Sequence, residues 1–341
     1  MAEKLIMTMI RLASPQEAVP WKSSGYEPVS VKRWKRFQVI LNPASAAGKT
    51  GKRQIQIMKA IQRFAGKGVL VTVTQKPLEA ERLTRRAIWQ GYELIIAVGG
   101  DGTIQEVVNG FFHNGEIINR DCHLGIISSG TGKGLARSLG LPLSLEDQLQ
   151  VIFNGRNRII DIGRITFTGC EPGTSRCFVN EFQAGIGGEV VTSVKSGQKK
   201  LGGLLGFGIN TFLTGLSYNT DQLQIVIDDK TEISGKMIGL VVANGAITAG
   251  GMNLVPPARL DDGRLDLLLI HNQSVLKRFP NFFKLYAGKH IRQKEFSHHR
   301  IQKLEIYGEP DVRLAADGEQ LPSLPCRVEV IPSAINIKGN I

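Results

Sequence analysis

The chain of 341 residues is 42% hydrophobic and carries a formal charge of +12, from 42 Lys and Arg against 30 Asp and Glu. That content suits a sizeable core divided between two domains, and the basic excess attracts polyanions such as nucleotides, nucleic acid or anionic lipid headgroups. The lack of any unbroken apolar run of about 18 residues argues against a spanning helix. Four scattered cysteines, the closest pair (Cys170 and Cys177) spaced C-x6-C, argue against a zinc knuckle, and 6% aromatic content without basic interleaving argues against nucleic acid as partner.

In chain order, residues 1–35 read as a loosely ordered extension whose early acid and short apolar block make a poor secretory signal. A reduced, cytoplasmic chain is the simplest reading of the cysteines. The strand FQVILN then leads into PASAAGKT, which ends like a Walker A loop but has Pro43 where the pattern needs glycine. A second near match, ISSGTGKG, has Ile127 in that place and Gly134 in place of the magnesium-holding Ser or Thr. Two failed matches point to a different phosphate-binding architecture.

After this loop, Ile55, Met58, Ile61 and Phe64 recur at helical spacing, strand VLVTVTQ (69–75) follows, and Pro77 opens a helix to about Gln90. ELIIAVGG and TIQEVVNGFF give the next strand and helix. HLGIISSGTGKGLARSLGLP gives another pair, with its helix beginning near Thr131. This alternation implies an α/β nucleotide-binding domain over 36–158 with a largely parallel sheet and ligands at the strands' carboxyl ends. Over 159–325 strand-like runs separated by Gly, Asp and Asn turns indicate a β-rich second domain. Helical interludes are expected around 198–217 and 274–288, the second with a breaker at Pro280, and 171–176 as a loop insertion. Residues 326–341 form a closing segment that could return to the first domain.

The strongest chemical signal is AVGGDGTIQEVVNG. Glycines at a strand end let backbone approach a ligand closely, and the following helix offers free N–H groups to an anion. An Asp inside an anion site makes sense beside a cation or a transferable proton, and phosphoryl transfer with magnesium meets all three demands. The competing reading is a glycine-rich turn with Asp101 as N-cap.

GGDGTIQEVVNG, preceded by LNPASAAGKTGK and followed by GIISSGTGKGLARSLGLP, resembles the catalytic domain of the soluble diacylglycerol kinase, sphingosine kinase and ceramide kinase superfamily. VANGAITAGGMNLVPPARLDDGRLDLLLI and LAADGEQLP extend the resemblance, which spans residues 37 to 335. It implies an NAD kinase-like α/β domain followed by a β-sandwich, with ATP in the cleft between them. It implies that Asn42, Pro43, Ala44, Ser45, Ala46, Thr74, Gly100, Gly102, Thr103, Glu106 and Thr131 surround ATP. Asp101 would join the Mg2+ and water network at the transferred phosphate. Glu319 would act as general base on a lipid hydroxyl, and a second, structural Mg2+ would sit on Asp262 with backbone oxygens near Arg259 and Arg264. For Asp262 a plain turn before Gly263 is the alternative. Lys49 is either a phosphate contact or a solvated lysine.

The chain departs from the bacterial pattern at Lys133 and Gly134, where Asn and Asp are usual. The change removes a carboxylate from the metal and water network and adds a charge that could offset the loss at the phosphoryl oxygens. Smaller departures are Ala46 for glycine, Gln105 for Asn and Glu189 for Asp. The stretch 200–218 with Lys195, Lys199 and Lys200 reads either as core or as an apolar patch with a basic rim for peripheral membrane contact. The implied activity is an ATP-dependent lipid kinase acting on diacylglycerol or a sphingoid lipid at a membrane surface, with a homodimer allowed for. The alternatives are an NAD kinase, suggested by GGDGT and Asn180-Glu181, and a non-catalytic lipid- or nucleotide-binding regulator on the same fold.

Overall fold

A computed structural model describes residues 34–66, 69–130, 132–168, 174–195 and 211–339. Among these the chain forms two compact units, one of residues up to Ile162 joined by the segment from Pro332, the other Gly163–Ile331.

In the first unit, strands β1 (Phe37–Leu41), β2 (Leu70–Val73), β3 (Leu94–Gly99) and β6 (His123–Ser128) pair in parallel in the order β6-β3-β1-β2. The short hairpin of β4 (Phe112–His113) and β5 (Glu116–Ile117) lies between β3 and β6 in sequence. β3 and β6 are buried along their whole length, as their near-continuous apolar sequences require of strands covered on both faces. Helices α1 (Lys49–Lys52) and α2 (Gln54–Ala65) follow β1, α3 (Glu79–Trp89) follows β2, and α4 (Asp101–Asn109) follows β3. After β6 come α5 (Gly134–Ser138) and α6 (Leu145–Asn154), the latter capped by Ser144, whose side chain accepts the Asp147 amide at 3.1 Å. Ile57 and Ile61 of α2 and Leu149 and Ile152 of α6 pack with Val39, Leu94 and Ile96 of the sheet.

Two expectations here need correcting. The buried stripe of α2 is Ile57, Ala60 and Ile61, whereas Ile55 is 71% exposed. The separate turn α1 ends at Arg53 and restarts the helix, so the face turned to the sheet is set by that restart. The helix expected from Thr131 starts at Gly134, after Lys133 has taken a left-handed conformation with φ 52°. Thr131 itself lies outside the described residues.

The second unit is built from antiparallel strands. It contains the later part of β7 (Arg156–Phe167), β8 (Ser175–Phe178), β9 (Glu181–Gly185), β10 (Asp221–Ile227), β11 (Thr231–Ala243) and β12 (Leu265–His271). β13 (Phe296–Ile301), β14 (Lys303–Gly308), β15 (Leu314–Ala316), β16 (Glu319–Gln320) and the first part of β17 (Cys326–Gly339) complete it. The strands run β16-β15-β9-β11-β10-β14-β17, while β12 joins β11 to β13. β11 passes from β10 to β12 at Met237, where the register shifts. The core holds Phe178, Phe182, Leu240, Leu267, Ile301 and Val328, contributed by six different strands.

Among the described residues three α-helices interrupt the strands: α7 (Ile186–Lys195), α8, described over 211–217, and α9 (Val275–Tyr286). The run FVNEFQAGIG (178–187) has the pattern of a strand throughout, but α7 begins at Ile186. Its glycines permit close packing: a Cβ on Gly188 would lie 2.1 Å from the Arg313 carbonyl oxygen. Pro280 does not end α9, in which it stands exposed. Ser175 and Arg176 of the expected loop insertion belong to β8. The described cysteines Cys122, Cys177 and Cys326 are buried and unbridged.

β17 contributes to both units in turn. Residues 326–329 pair antiparallel with β14, and Asn336 and Ile337 pair in parallel with β6.

Candidate active site

In the α/β unit the described nucleotide residues expected from the sequence gather after the carboxyl ends of β1, β2 and β3. Asn42 ends β1: its Nδ2 donates to Thr103 Oγ1 at 2.9 Å and its Oδ1 accepts the Ala44 amide at 3.0 Å, so one side chain ties the loop to the first turn of α4. Pro43 accepts the Gly51 amide at 3.0 Å through its carbonyl. Ala46, Ala47 and Gly48 all have positive φ, at 55°, 55° and 81°. The amides of Ala46 and Ala47 have no acceptor among the described residues, so this strained turn presents free N–H groups.

Ser45 Oγ lies 2.5 Å from Thr50 Oγ1, which lies 2.8 Å from Ser129 Oγ. This three-hydroxyl cluster was not foreseen, although GK-T at 48–50 and the serines after β6 were both visible. Thr74 is buried, with its amide donating to the Leu41 carbonyl at 2.9 Å. Glu106 Oε2 accepts the Ala80 amide at 3.2 Å, holding α3 against α4.

Gly100, Asp101, Gly102 and Thr103 form the β3–α4 junction. The loops after β3 and β6 touch backbone to backbone, since a Cβ on Gly130 would stand 2.7 Å from Gly100 Cα. Asp101 Oδ2 accepts the Gly134 amide at 3.2 Å. Its Oδ1 is buried and has no hydrogen-bond partner among the described residues. Burial pushes the Asp101 pKa up, opposed by the amides of Gly134 and Leu135 and the charge of Arg137. An unpaired, buried carboxylate oxygen is costly unless a proton, water or cation completes it. Beside free loop amides and the first-turn amides of α4, this donor set fits a nucleotide-bound divalent cation.

Lys133 stands next to Gly134. Partial burial, then the charges of Arg137 and Arg53, lower its pKa. Three cations therefore crowd this loop, and Arg137 is fixed by Nη1 donating to the Gly132 carbonyl at 2.8 Å.

In the β unit Glu319 is exposed on β16, paired with Ala316 across a tight turn. The turn is held by Asp317, whose Oδ2 accepts the Val179 amide at 2.7 Å and whose Oδ1 accepts the amides of Asn180 and Glu181 at 2.9 and 3.0 Å. Glu181 is buried and accepts from Thr248 Oγ1 at 2.5 Å and from Asn180 Nδ2. Asn180-Glu181 is visible in the sequence as a pair and Asp317 as part of the DGE motif, but the bonds that Asp317 and Thr248 make to that pair are not.

The Asp262 turn is occupied by its own neighbours. Oδ1 accepts the Arg264 amide at 3.2 Å, Oδ2 accepts from Arg300 Nη2, and Arg259 Nε pairs with Asp261 at 3.6 Å. Both Asp262 carboxylate oxygens are thus engaged by the chain itself, one by the Arg264 amide and one by the Arg300 guanidinium. The apolar stretch with Lys199 and Lys200 falls largely outside the described residues, as does the side chain of Lys195. No described helix is long and apolar enough to cross a membrane.

Residues 36–165 match the family model of the diacylglycerol kinase catalytic domain, and residues 182–339 match that of the YegS C-terminal NAD kinase beta sandwich-like domain. A Yersinia enterocolitica protein named "Probable lipid kinase YegS-like" is 30% identical over 291 residues, covering 83% of this chain and 91% of its own. A Staphylococcus saprophyticus diacylglycerol kinase is 27% identical over 291 residues, covering 85% of this chain and 91% of its own. In fold the chain is similar to a crystal structure of a diacylglycerol kinase from Bacillus anthracis str. Sterne, with TM-score 0.71 at 20% identity over 90% of this chain and 98% of that one.

Proposed function

The chain belongs to the lipid kinase family built on the diacylglycerol kinase catalytic domain, and from that premise we propose that its acceptor is diacylglycerol, with Asp101 and Glu319 as its catalytic residues. It is an ATP-dependent kinase that transfers the γ-phosphoryl group to a lipid hydroxyl. The buried, unpartnered Oδ1 of Asp101 is the single observation that supports the site assignment best.

The Ala46 and Ala47 amides and the first turn of α4 bind the phosphates through N–H groups. Asn42 and Ser45 keep that loop in register with α4, and Gly100 and Gly102 let phosphate approach the backbone. Magnesium bound with the nucleotide would neutralise charge on the phosphoryl oxygens, with Asp101 Oδ1 as its protein-side acceptor, directly or through water. Arg137 and Lys133 add positive charge at the same loop, in place of the carboxylate usual at position 134. Glu319 accepts the acceptor's proton as the lipid oxygen bonds to the γ-phosphorus and the bond to the β–γ bridging oxygen breaks, releasing ADP.

A sphingoid base is the second reading, favoured by the acidic surroundings of Tyr218: its hydroxyl donates to Asp221 at 2.6 Å, near Glu189 and Asp311. A protonated amine suits such a group. Transfer of labelled γ-phosphate to detergent-dispersed diacylglycerol and sphingosine, with wild type, Asp101→Asn and Glu319→Gln, tests both readings. Labelled phosphatidic acid that both variants lose supports the first. Labelled sphingoid phosphate supports the second, and no labelled lipid from wild type refutes both.

A further inference from the structure

From Leu267 to Lys294 the chain holds six Lys and Arg and no Asp or Glu. This stretch contains α9 and the segment that runs back beside it. The inner side of α9 is spent on packing: Phe282 and Tyr286 are buried with Met252, and Phe282 meets Phe212 at 5.2 Å between ring centroids. Arg278 donates to the carbonyls of Gly215 and Tyr218 at 3.2 and 2.6 Å, so its charge serves the fold.

The outer side has no such use. Val275 is 52% exposed and Leu276 is 88% exposed, the highest value among the exposed large hydrophobics, and Pro280, one turn further on the same stripe, is exposed too. Lys277 pairs with Glu295 at 2.9 Å, and Lys284 Nζ donates to Gln293 Oε1 at 3.1 Å. These two bonds lay residues 293–295 alongside the helix and set Lys294 near its first turn. Lys289, Arg292 and Lys294 are exposed; the side chains of Lys289 and Arg292 have no ionic or hydrogen-bond partner among the described residues, and Lys294 feels the charge of Glu295.

We infer that the exposed side of α9, with Val275 and Leu276 at its start, Lys294 in the segment alongside and Lys289 and Arg292 past its last turn, is the surface by which the protein docks on an anionic lipid bilayer. Two observations select that partner. Exposed cations whose one adjoining acid in the chain, Glu295, is already paired with Lys277 are complementary to phosphate headgroups. An aliphatic pair at a helix start can enter the acyl boundary while cations beside and beyond the helix stay at headgroup level. The inference goes beyond the acceptor reading, because vesicle binding needs no turnover.

The test is co-sedimentation of the full chain with vesicles of phosphatidylcholine alone or mixed with phosphatidylglycerol, at low and high salt. Wild type should bind the mixed vesicles only, and salt should weaken binding. Combined Lys289→Glu, Arg292→Glu and Lys294→Glu should lower the partition coefficient about 100-fold or more, and Leu276→Asp should lower it at both salt levels. Circular dichroism and phosphorylation of detergent-dispersed lipid should stay at wild-type levels in both variants. Absence of wild-type binding, or equal binding by wild type and the triple variant, would overturn the inference. So would self-association of wild type that Leu276→Asp abolishes without any vesicle binding, which would make the face a contact between copies. Loss of lipid phosphorylation in wild type would refute the kinase reading while leaving the vesicle result standing.

Discussion

Asp101 accepts the Gly134 amide at 3.2 Å on one oxygen and leaves its other oxygen buried and unsatisfied. Burial raises its folded-state pKa above the ordinary carboxylate value, so the folded chain holds this proton more tightly than the unfolded chain. The ionised group therefore opposes folding. The penalty is complete above the folded-state pKa and vanishes as pH falls below the unfolded-state value. Asp101→Asn is expected to raise Tm at neutral pH, with a gain that shrinks to nothing in acid. Melting curves of both proteins across pH check this, and a pH-independent difference would rule out the buried charge as its source.

Asp317 gathers three backbone amides at 2.7–3.0 Å and so anchors the turn that carries Glu319. Removing it leaves three buried donors without an acceptor. Asp317→Ala should cost about 3 kcal/mol in urea unfolding, and Asp317→Asn, which keeps one acceptor oxygen, about half that. In kinetics the Ala variant should lose kcat while KM for ATP stays near wild type. A parallel rise in KM for ATP would place the role of Asp317 elsewhere.

Ala46 sits at φ 55°, where a Cβ is unfavourable. Ala46→Gly is expected to stabilise the protein by about 1 kcal/mol, less the entropy glycine returns to the unfolded chain. The urea midpoint should rise with the m-value unchanged. A fall would mean that the alanine methyl has packing partners that offset its strain.

The α/β half was legible because its signals are local. A run such as LIIAVG, short, apolar at every position and ended by glycines, reads as a strand covered on both sides, and those glycines mark the turn into α4. The same locality explains what was missed. Periodicity in α2 suggested Ile55, but the break at Arg53 decides which face meets the sheet. α7 was hidden by Gly187 and Gly188, which look like a turn until the Arg313 backbone is seen against them. Asp317 acts on amides 136–138 positions away, and Arg300 reaches Asp262 across 38, so neither partnership leaves a trace in the local pattern.

β17 serves first one sheet and then the other, pairing with β14 through Cys326–Glu329 and with β6 at Asn336 and Ile337. During synthesis the strands β1 to β6 therefore leave the ribosome long before the strand that completes them. The α/β unit waits for the entire β unit to be translated before its sheet can close. Cutting the chain after residue 331 would remove that strand while leaving every proposed nucleotide contact in place. Such a fragment would keep its phosphate loop and lose the neighbour that covers the free edge of β6.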